Sequence, residues 1–211
     1  MVKIIKIFEI IIFFITIPLL LIPINSNITM FTTLSIVALC CFFYLKYKKI
    51  NLFKKSDLKF DRYFKEIFYK TIIVTILILI FSYFFDKEKF LNLPLSHFFL
   101  WLFILVLYPI LSAFPQEIIY RKFFFERYDK LFKNKKILII INAFLFSFAH
   151  IIYLNPIVII FTFIGGLLMA ISYSQHKSLF KVSVEHGIYG NIVFSSGLCN
   201  YFYHTQGLTL G

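Results

Sequence analysis

Apolar residues along this chain gather in seven blocks, separated by short polar or charged segments. The blocks run from Ile4 to Pro23, Ile28 to Leu45, Thr71 to Phe85, Phe98 to Phe114, Ile137 to Leu154, Ile157 to Tyr173 and Leu179 to Leu198. A helix that crosses a bilayer needs about 20 mostly apolar residues, with a range of about 17–25. Six blocks meet that length, and a tilted third helix, or one reaching back to Ile67, accommodates the remaining one. The pattern therefore predicts an all-α fold, a polytopic transmembrane helical bundle of about seven spans. Asn25 to Asn27 reads as the turn between the first two.

The first block follows Lys3 and Lys6 and has the outline of a signal peptide. Glu9 interrupts it, it is long, and no small-x-small cleavage pattern follows, so a retained helix that also targets the chain is expected. The segment from Lys46 to Lys70 mixes charges with Phe53, Leu58, Phe60, Phe64, Ile67 and Phe68. Two readings fit it: an interfacial amphipathic helix, or a solvated loop that extends the next span.

Composition strengthens the membrane reading. Hydrophobic residues make up 60% of the 211 positions and charged residues only 15%, whereas a soluble domain is about half apolar and about a quarter charged. The net charge of +12 is concentrated in two places. Lys46 to Lys70 holds nine basic and three acidic residues, and Glu117 to Lys136 holds seven and three. Asp86 to Lys89 balances to zero, and the tail after Cys199 has no Lys or Arg. The positive-inside bias then places the N-terminus and both basic loops in the cytoplasm of a multi-pass cell-membrane protein. No basic stripe interleaved with polar residues forms a nucleic-acid surface. Cys40, Cys41 and Cys199 show neither metal nor redox spacing, and no disulfide is assigned to them.

Ionisable groups inside or beside apolar helices are costly and point to function. Three clusters stand out. The first contains Pro115, Gln116, Glu117 and Arg121. Glu117 and Arg121 are four apart and can pair on one helix face. Pro115 suits a first helical turn, which would set Glu117 at a helix N-terminus that favours a carboxylate. A juxtamembrane anchoring ion pair is the competing reading. The second cluster is Phe146 to His150, where the imidazole is either functional or a packing residue bonded to a neighbouring helix. The third, Glu185-His186-Gly187-Ile188-Tyr189-Gly190-Asn191, puts three polar groups in one span. A carboxylate with two imidazoles can activate water and stabilise an oxyanion, or bind a divalent metal. The soluble His-Glu-x-x-His metalloprotease motif is absent.

These clusters resemble the CPBP family of intramembrane proteases, the group of CAAX prenyl endopeptidases of the Rce1 type and bacterial Abi proteins. The family pattern is Glu-Glu-x-x-x-Arg, then Phe-x-x-x-His, then His-x-x-x-Asn, each on a separate helix. Here it reads Gln116-Glu117-x-x-x-Arg121, Phe146-x-x-x-His150 and His186-x-x-x-Gly190. The resemblance covers Phe98 to Tyr203, and the Gln-Glu and His-x-x-x-Gly variants are similar to a bacterial branch. It implies division into residues 1–90, N-terminal helices with a basic cytoplasmic loop, and a protease core over 91–211.

The expected activity is hydrolysis of a peptide bond in a membrane-associated protein or peptide. Glu117 with His150 would activate water, His186 would hold the oxyanion, and Arg121 would pair with Glu117 or Glu185. Gln116, Glu185, Gly190 and Asn191 are supporting candidates: Gln116 and Gly190 replace the family's glutamate and asparagine, and Asn191 lies one residue off register. Metal dependence stays open, with zinc on Glu117, His150 and His186 as one option and a metal-free glutamate mechanism as the other. The alternatives are a non-catalytic membrane protein that binds a protein or lipid partner in an immunity or chaperone-like role, and, less favoured, a small transporter.

Overall fold

The computed structural model describes residues 2–24 and 26–202. Asn25, within the expected first turn, lies outside the described residues. The fold is all-helical. Six helices are long and apolar enough to cross a bilayer: α1 (Lys3–Leu21), α2 (Asn27–Tyr47), α3 (Arg62–Phe85), α4 (Phe98–Leu131), α5 (Lys135–Tyr153) and α6 (Pro156–His176). A seventh, α7 (Leu179–Ser196), has 18 residues and carries Lys181, Glu185, His186 and Asn191. Those residues lower its hydropathy below that of the other six, and it packs against α3, α4 and α6 instead of facing lipid.

The helix starts follow from local chemistry. Ser26, Asp61, Asn134, Asn155 and Ser178 precede α2, α3, α5, α6 and α7, and each side chain accepts a backbone N–H of the first turn. Such caps satisfy donors that a helix cannot satisfy itself. Gly197, at φ +96°, ends α7 in the left-handed region that favours glycine. The segment from Lys46 to Lys70 forms no separate interfacial helix. Between Tyr47 and Arg62 it is a loop with one 3₁₀ turn (Lys55–Leu58), and its remainder is the start of α3, which Asp61 caps.

The expected end of the fourth span at Phe114 is corrected: α4 continues to Leu131, 34 residues in all, or about 51 Å. Pro115 does not open a helix. It lies between two π-helical turns, Pro109–Ala113 and Ile118–Phe123, which absorb the interruptions that prolines make in the regular ladder. Glu117 is therefore mid-helix and gains nothing from a helix N-terminus.

Two asparagines mend α4. Pro109 has no N–H to offer the carbonyl of Leu105, and Asn191 Nδ2 donates to that carbonyl at 3.0 Å. In the second π turn, Asn142 Nδ2 donates to the Tyr120 carbonyl at 2.6 Å. α1 is built into the bundle: Phe14 is 1% exposed and packs edge-on against Tyr120 and Phe124, and Glu9 pairs with Arg127 at 2.6 Å. The outer surface is apolar, with Phe99, Phe103 and Val106 of α4 and Ile76, Leu77 and Phe84 of α3 exposed, as a lipid-facing wall requires.

Asn191→Leu is expected to destabilise the protein by about 1–3 kcal/mol, the cost of leaving a buried carbonyl without a donor. In a Pro109→Ala background, where an amide N–H is available at 109, the loss should be smaller. Thermal unfolding in detergent across the four variants measures the difference.

Candidate active site

The charged centre of the bundle is built by α4 and α7. Glu117 and Arg121 are both 0% exposed. Glu117 Oε1 lies 2.8 Å from His186 Nδ1. A carboxylate can only accept, so Nδ1 carries the proton and His186 Nε2 faces Tyr108 Oη at 3.1 Å. Glu117 Oε2 faces Arg121 Nε at 3.4 Å as an ion pair.

Arg121 has three further partners. Nη1 donates to Asn142 Oδ1 at 2.8 Å, Nη2 donates to the Gly166 carbonyl at 3.3 Å, and the guanidinium lies 5.0 Å from the centroid of Phe146. A buried charge pair persists only where further hydrogen bonds complete it. Asn142 and Gly166 supply those bonds here.

His150 stands on the other side of Phe146. The Phe146 ring is 5.0 Å from His150 and 5.6 Å from His186, centroid to centroid. His150 Nδ1 contacts the Phe146 carbonyl at 2.8 Å. A carbonyl also only accepts, so Nδ1 is the protonated nitrogen and Nε2 presents a lone pair.

A cavity of about 520 Å³ opens between α1, α2 and α4. Most of its wall is apolar, with Phe13, Leu34 and Ile119 among the lining residues. Ser112, Gln116, His150 and Tyr153 also line it. Gln116 Nε2 donates to Ser112 Oγ at 2.9 Å, while Gln116 Oε1 is buried without a hydrogen-bond partner. Gln116, not Glu117, lines the cavity. The carboxylate of Glu117 turns the other way, into the Arg121 and His186 pair.

The remaining expectations separate clearly. Glu185 is 0% exposed and does not join Glu117. Its carboxylate accepts from Tyr63, Ser172 and Tyr189 at 2.8–3.2 Å and pairs with Lys70 at 3.3 Å, tying α3, α6 and α7 together. Arg121 thus pairs with Glu117 of the two acids considered. Asn191 is spent on α4. At Gly190, an added Cβ would fall on the ring of Tyr108. The zinc option is not supported: among the described residues no three His, Cys, Asp or Glu side chains gather as a metal site, since His186 turns its protonated nitrogen to Glu117 and His150 turns its own to a carbonyl.

Sequence reasoning missed Asn142 and Tyr108. An asparagine inside the apolar block from Ile137 to Leu154 was a usable signal, by the same rule that singled out His150. Tyr108 gave none, being one of 13 tyrosines in a chain rich in aromatics.

No curated protein and no solved structure matches the chain. A family model does: residues 97–192, just under half of the chain, match that of the Type II CAAX prenyl endopeptidase Rce1-like proteins, and this stretch contains Gln116, Glu117, Arg121, His150, His186 and Gly190.

Proposed function

We propose that this protein is a membrane-embedded endopeptidase that hydrolyses a peptide bond of a membrane-associated protein or peptide. It belongs, in this reading, to a Gln-Glu branch of the CPBP proteases, with its N-terminus in the cytoplasm. The observation that carries the proposal is the buried Glu117–His186 pair at 2.8 Å, set behind a cavity that His150 lines. The match to an Rce1-like protease family over the same residues supports it.

The roles in this reading differ from those expected from sequence. His150 Nε2, with its lone pair free of the Phe146 carbonyl, takes a proton from the attacking water. Gln116 Oε1 accepts the water's other hydrogen and orients it. A carboxamide cannot act as a base, so the base is the imidazole. The water oxygen bonds to the carbonyl carbon, and the carbonyl electron pair moves onto oxygen. His186, held by Glu117, supports hydrogen-bond donation to that oxyanion. Collapse re-forms the carbonyl and breaks the C–N bond, and the proton on His150 passes to the leaving amine. Arg121 holds Glu117 in place through their ion pair. No step passes through a metal.

A second reading rests on Gln116. A neutral carboxamide stands at the cavity wall where the family pattern carries a glutamate, which favours a binding protein that holds a protein or lipid partner without cleaving it.

His150→Ala and His186→Ala are each expected to lower kcat/KM by about 10²–10⁴, the usual contribution of a positioned acid–base group. Purified protein in proteoliposomes, with a membrane-anchored fluorogenic peptide library, measures this. A parent that cleaves nothing while retaining a captured peptide would decide for the binding reading. Gln116→Glu should raise turnover in the same assay, because a carboxylate at the cavity wall adds a base beside His150.

A further inference from the structure

Gly190 and Tyr108 belong to different helices and fill one space. In the His-x-x-x-Asn pattern the asparagine lies one turn after the histidine, on the same face. Here residue 190 is glycine. The three atoms nearest to an added Cβ are Cε1, Cζ and Oη of Tyr108. The tyrosine reaches this place from α4, its ring 5.0 Å from Phe194 and 6.1 Å from His186, centroid to centroid. Its hydroxyl ends 3.1 Å from His186 Nε2.

We propose that the Tyr108 hydroxyl, set beside His186 in the space that Gly190 leaves open, is the oxyanion donor of this protein. The inference rests on the hydrolytic reading given above. Removal of a side chain at 190 is the condition for it, since any larger residue there would expel the phenol ring. Tyrosine and asparagine are both competent oxyanion donors. The hydroxyl both donates and accepts. With His186 neutral and no substrate bound, the same hydroxyl donates to Nε2. One contact therefore links the Glu117–His186 pair to a donor that can turn towards the reacting carbonyl, and no proton leaves the phenol during attack.

The test uses the full chain in lipid nanodiscs with ¹⁵N-labelled histidine, and the peptide from the fluorogenic library that the parent cleaves fastest. Tyr108→Phe removes only the hydroxyl. It should lower kcat by about 10²–10³ with KM changed by less than about threefold, and should move the His186 Nε2 resonance while His150 stays in place. Tyr108→Ala with Gly190→Asn returns a carboxamide to the vacated space and should recover at least about tenfold of the kcat lost in Tyr108→Ala alone. Equal kcat for the parent and Tyr108→Phe overturns the assignment of Tyr108 and leaves the hydrolytic reading standing. A parent that cleaves no peptide overturns both. If Tyr108→Phe is inactive but His186 Nε2 is unmoved, and the double variant recovers nothing, the tyrosine is a packing residue and the assignment fails.

Discussion

The bundle depends on one buried ion pair. Glu117 and Arg121 sit on adjacent turns of α4, without solvent, among helices whose outer faces are hydrocarbon. Two charges in such surroundings demand partners. Their demands reach most of the nearby structure. Arg121 draws in Asn142 of α5 and a carbonyl of α6; Glu117 draws in His186 of α7. Four helices are thus set in register by hydrogen bonds as well as by apolar contact, which alone discriminates poorly between one helix rotation and another inside a lipid phase.

The same pair fixes which way the neighbouring side chains point. With Glu117 turned to the interior, Gln116 takes the cavity wall and leaves its carbonyl oxygen without a partner. The Phe146 ring then lies against the Arg121 guanidinium and separates two imidazoles of the same tautomer, each with its Nδ1 proton committed to a different acceptor. Position and tautomer are therefore set before any substrate arrives, the property that electrostatic catalysis requires.

The spans were readable because lipid admits only long apolar helices, and the five side-chain caps mark helix starts in plain residue chemistry. The misreading at α4 has an equally physical origin. A proline followed by charges looks like the end of a span, and nothing local announces that two π turns carry the helix through. The site was half legible. Glu117, His150 and His186 stood out as polar groups in apolar surroundings. Their division of labour did not, because it depends on contacts between residues 69 and 78 positions apart and on whether a carboxylate or its neighbouring carboxamide meets the cavity. Glu185 of α7 was equally visible, yet its partners Tyr63, Lys70 and Ser172 lie on α3 and α6, where no candidate residue stood out.

That arrangement around Glu185 bears on how the chain is made. An acid or base at the centre of a lone span costs about 2.5–3.5 kcal/mol on insertion scales, and α7 carries Lys181 as well as Glu185. Lys181 pairs with Asp61 at the start of α3, and Glu185 is satisfied only when α3 and α6 stand beside it. As an independent segment α7 has little reason to leave water for lipid. It enters most cheaply as the last helix of a group already in place, so membrane integration and tertiary packing of this segment are a single event.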